Sequence, residues 1–300
     1  MQTSREYFRI WFMAARPHTL SASLVPVVVG GALAATRFDG WLFLLILVAA
    51  LLVQIGTNLT DEYADHQATA SAHKYLAPHK VIARGLLSQR AVRIGAWSAF
   101  AAATVMGAWL VWRTGWPLLV VCLLALAAAY AYSAGPFPLG DYALGEAVVF
   151  VMMGPVMVGG TYYVLTGNFG WDILWVGLPV AGLVTAILMA NNLRDEREDR
   201  RNGRRTVATV FGARAVRVAY HLMLLLAYLC LPAAVAGGAH TAWLLLPWLT
   251  LPPALRVAGW IRTGRERETL HRALRGTSAL HLVFGLILAA ALVAEANFSA

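Results

Sequence analysis

Long apolar runs separated by shorter polar ones set the pattern of this chain. A helix needs about 20 mostly apolar residues to cross a hydrocarbon core. Nine runs meet that requirement, at roughly 18–36, 41–58, 91–112, 116–133, 144–166, 171–191, 214–236, 241–260 and 277–296. Pro26, Pro155, Pro179, Pro232 and the pair Pro252-Pro253 fall inside them. Bundled membrane helices tolerate such kinks where neighbours satisfy the freed carbonyls. The expected fold is therefore all-α, with nine transmembrane helices in a single domain covering residues 1–300. Met1 to Ala15 mixes Arg5, Glu6 and Arg9 with Tyr7, Phe8, Ile10, Trp11 and Phe12, which predicts a short interfacial helix rather than a cleaved leader.

The polar segments are unequal. The two long ones, 59–90 and 192–213, follow the second and sixth runs, a spacing that hints at internal duplication. Ser88 is placed to cap the helix that follows the first of them. The small and polar residues Ala68 to Pro78 are expected to form a mobile cap over a site.

Charge fixes the orientation. With a cytoplasmic N-terminus, 22 of the 24 Lys and Arg residues fall in or beside the cytoplasmic segments, leaving only Arg37 and Arg113 opposite. This is the bias of the positive-inside rule, and omitting one span would invert it. Only 13% of residues are charged and 59% are hydrophobic, against about 25% charged in soluble domains. The net charge of +9 sits in blocks between apolar runs, the pattern of juxtamembrane loops and not of a nucleic-acid face. A lipid bilayer is the expected partner and nucleic acid is not. Cys122 and Cys230 lie within apolar runs and read as small buried hydrophobes. The histidines, His73 and His79 included, show no metal-ligand spacing.

Two apolar runs end alike. One leads into Asn191-Asn192-Leu193-Arg194-Asp195-Glu196-Arg197-Glu198-Asp199, the other into Asn58-Leu59-Thr60-Asp61-Glu62-Tyr63-Ala64-Asp65. Asp195 and Asp199, like Asp61 and Asp65, are four residues apart and share a helix face. Like charges repel at that spacing, and more strongly near a membrane, where water screens them less. A divalent cation removes the conflict, and Mg²⁺ is typically held by one or two carboxylates plus phosphate oxygens. Both stretches fall on the cytoplasmic side, so one site can use both.

A magnesium-bridged diphosphate fits that arrangement. Asp61, Asp65, Asp195 and Asp199 are the expected metal ligands, supported by Glu62. Lys80, Arg84, Arg194, Arg204 and Arg205, with Asn58, Asn191 and Asn192, are the expected diphosphate-binding set. If the organic part is allylic, loss of diphosphate leaves a carbocation that must be shielded from water. Tyr130, Tyr132, Tyr162 and Tyr163 are candidates to line such a cavity, because ring faces stabilise cations. Interface belts account for tyrosines equally well.

These residues resemble the UbiA superfamily of membrane prenyltransferases, and within it the MenA-type 1,4-dihydroxy-2-naphthoate polyprenyltransferases. The resemblance runs through Arg16-Pro17-His18-Thr19-Leu20, Gln54-Ile55-Gly56-Thr57-Asn58-Leu59, Arg84-Gly85-Leu86-Leu87-Ser88, Tyr132 to Gly140 with Gly145-Glu146, and Asn191 through Gly203-Arg204-Arg205-Thr206 and Gly212. It implies nine helices around a central cavity, with Mg²⁺ and a polyprenyl diphosphate at the cytoplasmic mouth of a multi-pass protein of the inner (cell) membrane. It also implies prenyl transfer to a small aromatic acceptor, with loss of the acceptor's carboxylate, to give a demethylmenaquinone in its reduced, dihydroxy form. The first motif departs from the family's usual Asn-Asp-x-x-Asp. Asp61-Glu62 stands at its start, and no Asp follows between Asp65 and the third helix. An enzyme alternative keeps the fold and changes the acceptor to 4-hydroxybenzoate, another quinone precursor or a glycerol phosphate. A transporter of divalent cations or anionic lipids is the non-enzyme alternative. Transporters tend to place ionisable groups near the midplane, whereas these clusters lie at span ends.

Overall fold

The computed structural model describes residues 4–68, 80–135 and 137–298. Among them it is all-helical: α1 (Ser4–Ala14), α2 (Ser21–Leu33), α3 (Gly40–Ala68), α4 (Gln89–Thr114), α5 (Trp116–Ser133), α6 (Gly145–Val151), α7 (Met157–Thr166), α8 (Asp172–Arg201), α9 (Val207–Ala236), α10 (Leu251–Thr263) and α11 (Arg267–Phe298). Short 3₁₀ turns connect several of these, and a π-turn at Met152–Val156 joins α6 to α7. Eight of the helical segments are long and apolar enough to cross a membrane, and Ser21–Leu33 is a ninth, shorter apolar helix of 13 residues. The chain is a multi-pass membrane protein. Trp112, Trp116 and Trp171 stand about three-quarters or more exposed near helix ends, as interfacial aromatics do.

Contacts divide the chain into two compact units, residues 1–20 with 48–139, and residues 21–47 with 140–300. In the first, α1 lays Ile10 and Ala14 on a small core of Leu59, Val81, Ile82, Leu87, Val92 and Ala96. The predicted cap at Ser88 is present: its Oγ accepts from the Ala91 amide at 3.1 Å and starts α4.

The second unit holds the larger core, where α8 packs along α9, and α11 packs on α2 and α8. Small residues allow this closeness. A Cβ on Gly182 would meet the Met223 carbonyl of α9 at 2.7 Å, and one on Gly30 would meet the Val158 carbonyl of α7 at 2.5 Å. Two helices are interrupted, one inside the run expected at 144–166 and one just before the run expected at 214–236. Gly154 has non-helical φ/ψ next to Pro155, and Gly212, at φ 81°, breaks α9 near its start.

Candidate active site

The second acidic stretch forms the last three turns of α8. The helix stops at Arg201, and Gly203, at φ 70°, turns the chain back. The Gly203 amide then donates to the Arg200 carbonyl at 3.4 Å and the Arg204 amide to the Asp199 carbonyl at 2.9 Å, closing a Schellman turn. Only glycine adopts that backbone without strain. The turn brings the Arg204 side chain back over the stripe, with its Nη1 3.4 Å from Asp199 Oδ1.

Asp195 lies one turn earlier in a guanidinium fork. Arg194 engages both carboxylate oxygens, and Arg267 at the start of α11 reaches Oδ1 at 3.0 Å. Arg194 also donates to Asn191 Oδ1 at 2.7 Å, while Arg267 reaches Glu198 at 3.2 Å. Asn191 thus orients an arginine that covers a carboxylate.

The segment 141–146 runs beside this stripe. Asp141 accepts from Arg204 Nε at 2.5 Å, the Arg205 amide donates to the Asp141 carbonyl at 3.1 Å, and Tyr142 pairs with Arg205 in an isolated parallel bridge. At the other end Glu146 Oε1 accepts from Asn192 Nδ2 at 2.7 Å. Asn192 and Asp199 are seven residues apart, about 10 Å along one helix face, and both are buried. Sequence reasoning assigned no site role to Asp141 or Glu146, and the charge pattern suggests a lipid-facing orientation charge at Arg267, which the structure places on Asp195 and Glu198 instead. The signal available for Glu146 was a carboxylate at the start of an apolar run, which is costly unless paired.

In the first unit Asn58 is fully engaged. Its Nδ2 donates to the Ala15 carbonyl at 2.8 Å and to Thr19 Oγ1 at 2.9 Å, and its Oδ1 accepts from Gln54 at 3.3 Å. It pins the bend after α1, where Arg16 sits in the left-handed region at φ 53°. Arg16 Nη1 lies 2.6 Å from Asp61 Oδ2, and Ser133 donates to Asp61 Oδ1 at 3.2 Å. Expected among the diphosphate contacts, Asn58 is here the anchor that presents Arg16.

Glu62, expected to support metal, is buried. Its Oε1 accepts from the Ile82 amide at 3.0 Å and its Oε2 lies 3.6 Å from Lys80, so it anchors the turn that begins with Lys80. Arg84 is exposed in that turn. Arg205 is also exposed, while Arg204, one residue earlier, stands beside Asp199. Tyr130 is 42% exposed against the ring of Trp97, as an interface-belt residue would be. Tyr132 and Tyr162 are half-buried. Asp65 lies within α3, but its side chain is outside the described residues, as is the expected cap Ala68 to Pro78 beyond the Ala68 backbone, with His73 and His79.

Among the described residues no three His, Cys, Asp or Glu side chains gather into a protein-only metal cage. Mg²⁺ does not require one, because it keeps waters and takes substrate phosphates beside one or two carboxylates. A carboxylate offers about four acceptor directions on two oxygens. The guanidinium beside Asp199 uses a single direction, at 3.4 Å. This hard-oxygen donor set fits Mg²⁺ with a phosphate ligand.

The chain belongs to the UbiA prenyltransferase family, whose pattern it matches over residues 23–285. It is a prenyltransferase. It is 32% identical over 293 residues to the 1,4-dihydroxy-2-naphthoate octaprenyltransferase of Mycobacterium tuberculosis (strain ATCC 25618 / H37Rv), covering 95% of this chain and 97% of that one. The Bacillus subtilis (strain 168) protein of the same name is 29% identical over 288 residues, covering 95% and 92%. Among solved structures, an apo UbiA homologue from Aeropyrum pernix K1 shares the fold with TM-score 0.66 at 18% identity, covering 93% of this chain and 98% of that one. A UbiA homologue from Archaeoglobus fulgidus, bound to GPP and Mg²⁺, does so with TM-score 0.65 at 16% identity, covering 93% and 99%.

Proposed function

We propose that this protein transfers a polyprenyl group from its diphosphate to 1,4-dihydroxy-2-naphthoate, in menaquinone biosynthesis. The observation that carries the reading is the acidic stripe Asp195–Asp199 held among Arg194, Arg204 and Arg267, in a chain similar nearly end to end to naphthoate prenyltransferases.

Asp195 and Asp199, and on the other acidic face Asp61 and Asp65, would hold Mg²⁺, which neutralises diphosphate charge when bound. When the diphosphate binds, Arg194, Arg16 and Lys80 would exchange Asp195, Asp61 and Glu62 for phosphate oxygens, freeing the aspartates for the metal. Arg84, Arg205 and Asn191 are proposed to assist, while Asn58, Asn192 and Glu62 hold their neighbours in place. The allylic C–O bond breaks with its electron pair leaving on the diphosphate. The ring carbon bearing the acceptor's carboxylate then bonds to the prenyl cation, and loss of CO₂ restores aromaticity. Tyr132, Tyr162 and Tyr130 are proposed to shield the cation.

The topology that goes with this reading has nine spans in one domain. Helix α2, extended by its flanking 3₁₀ turns, is the first, and the N-terminus and both acidic faces are cytoplasmic in the inner membrane. The positive-inside bias supports it. The test uses membranes carrying the protein, Mg²⁺, a labelled polyprenyl diphosphate and a panel of aromatic acids. Prenylated, decarboxylated product from the naphthoate is expected. Product only from 4-hydroxybenzoate, or from no acid, overturns the assignment.

A further inference from the structure

Arg204 stands between two carboxylates and is shared unequally. Its Nε is 2.5 Å from Asp141 Oδ1, while its Nη1 is 3.4 Å from Asp199 Oδ1. The backbone reinforces the first partner, since the Arg205 amide donates to the Asp141 carbonyl and Tyr142 pairs with Arg205. The two carboxylates also differ in setting. The Asp199 side chain is 6% exposed and that of Asp141 33%. The Schellman turn at Gly203 fixes the Arg204 backbone, so the guanidinium has a short arc in which to choose a partner.

This geometry has an electrostatic consequence. A guanidinium fully docked on Asp199 would compete with a divalent cation for the same oxygens and repel it at short range. Asp141 draws the guanidinium away and neutralises it.

We propose that Asp141 is a positioning residue that holds Arg204 off Asp199, so that Asp199 remains available to a divalent cation. The inference rests on the prenyl-diphosphate reading above and adds a residue that sequence reasoning did not assign. It differs from a merely structural role in one respect: its effect on metal requirement must pass through Arg204.

The experiment measures binding of radiolabelled geranyl diphosphate to the purified full chain in nanodiscs as Mg²⁺ is varied, with thermal unfolding of each variant alongside. Asp141→Asn lets Arg204 close on Asp199, and the Mg²⁺ midpoint rises about tenfold, the scale of coupling between residues in one ion-pair network. Removing the competitor in the double variant Asp141→Asn/Arg204→Gln returns the midpoint to within about twofold of wild type, even if geranyl diphosphate binds more weakly. Asp141→Ser repeats the comparison should Asp141→Asn not fold. If wild type shows no Mg²⁺-dependent binding, the prenyl-diphosphate reading fails. If wild type binds and the Asp141 variants keep its midpoint, the positioning role fails while that reading stands. A raised midpoint that persists in the double variant also overturns the role, because the effect then does not run through Arg204.

Discussion

Glu146 Oε1 accepts a hydrogen bond from Asn192 Nδ2 at 2.7 Å, and both side chains are more than 90% buried. The bond joins the first turn of α6 to the start of the acidic stripe on α8. Removing one partner of a buried pair strands the other, at a cost of about 1–3 kcal/mol. Glu146→Leu is expected to lose that much stability, read as a lowered melting temperature in detergent. Glu146→Gln keeps an acceptor oxygen and is expected to stay near wild type. Equal losses in the two variants would show that the amide–carboxylate bond is not what matters there.

Asn58 offers a parallel case in the first unit. Its amide satisfies both the Ala15 carbonyl and Thr19 Oγ1, and so fixes the bend that carries Arg16 to Asp61. Asn58→Ala is expected to destabilise by about 1–3 kcal/mol and to raise KM for the prenyl diphosphate more than it lowers kcat. Arg16→Ala should raise KM without the stability loss. Steady-state kinetics with thermal melts separates the two effects.

Gly203 ends α8 at φ 70° and returns Arg204 to Asp199. A side chain at this position strains the backbone, and Gly203→Ala is expected to cost about 1 kcal/mol. Because the turn also sets Arg204 between Asp141 and Asp199, the Mg²⁺ midpoint of diphosphate binding should shift beyond what the stability loss explains. Unchanged binding would mean that Arg204 finds its place without the turn.

His281 lies midway along α11, is 1% exposed, and neither ring nitrogen has a hydrogen-bond partner among the described residues. An unsatisfied polar group in such an interior is costly. His281→Leu is expected to raise the melting temperature, by an amount corresponding to about 1–3 kcal/mol. A fall in stability would point to an internal water or another partner at the imidazole.

Sequence pattern made the outline legible. Apolar length located eight spans and the shorter α2, the Ser88 cap was found where the third span was expected to start, and Asp195 and Asp199 lie four apart on α8 as their spacing implied. Pattern did not reveal the partners of those carboxylates. Arg16 and Asp61, Asp141 and Arg204, and Glu146 and Asn192 are separated by 45 to 63 positions, and their meeting depends on how helices pack, not on any period along the chain. Asn58 shows the same limit. An asparagine one turn before an aspartate looks like a ligand in sequence, yet here it holds the chain segment opposite it. The choice between Arg204 and Arg205 turned on one left-handed residue, and the glycine at 203 was the clue.

The function proposed above has both acidic faces serve one magnesium-bound prenyl diphosphate. Its most direct measurement is equilibrium binding of labelled geranyl diphosphate with and without Mg²⁺ in wild type, Asp61→Asn, Asp195→Asn and the double variant. The account predicts one equivalent bound per chain with Mg²⁺, a loss of about a hundredfold or more (roughly 2.7 kcal/mol) in either single variant, and little further loss in the double. Unchanged Mg²⁺-dependent binding in Asp195→Asn, or two independent equivalents of which each variant removes one, would contradict it.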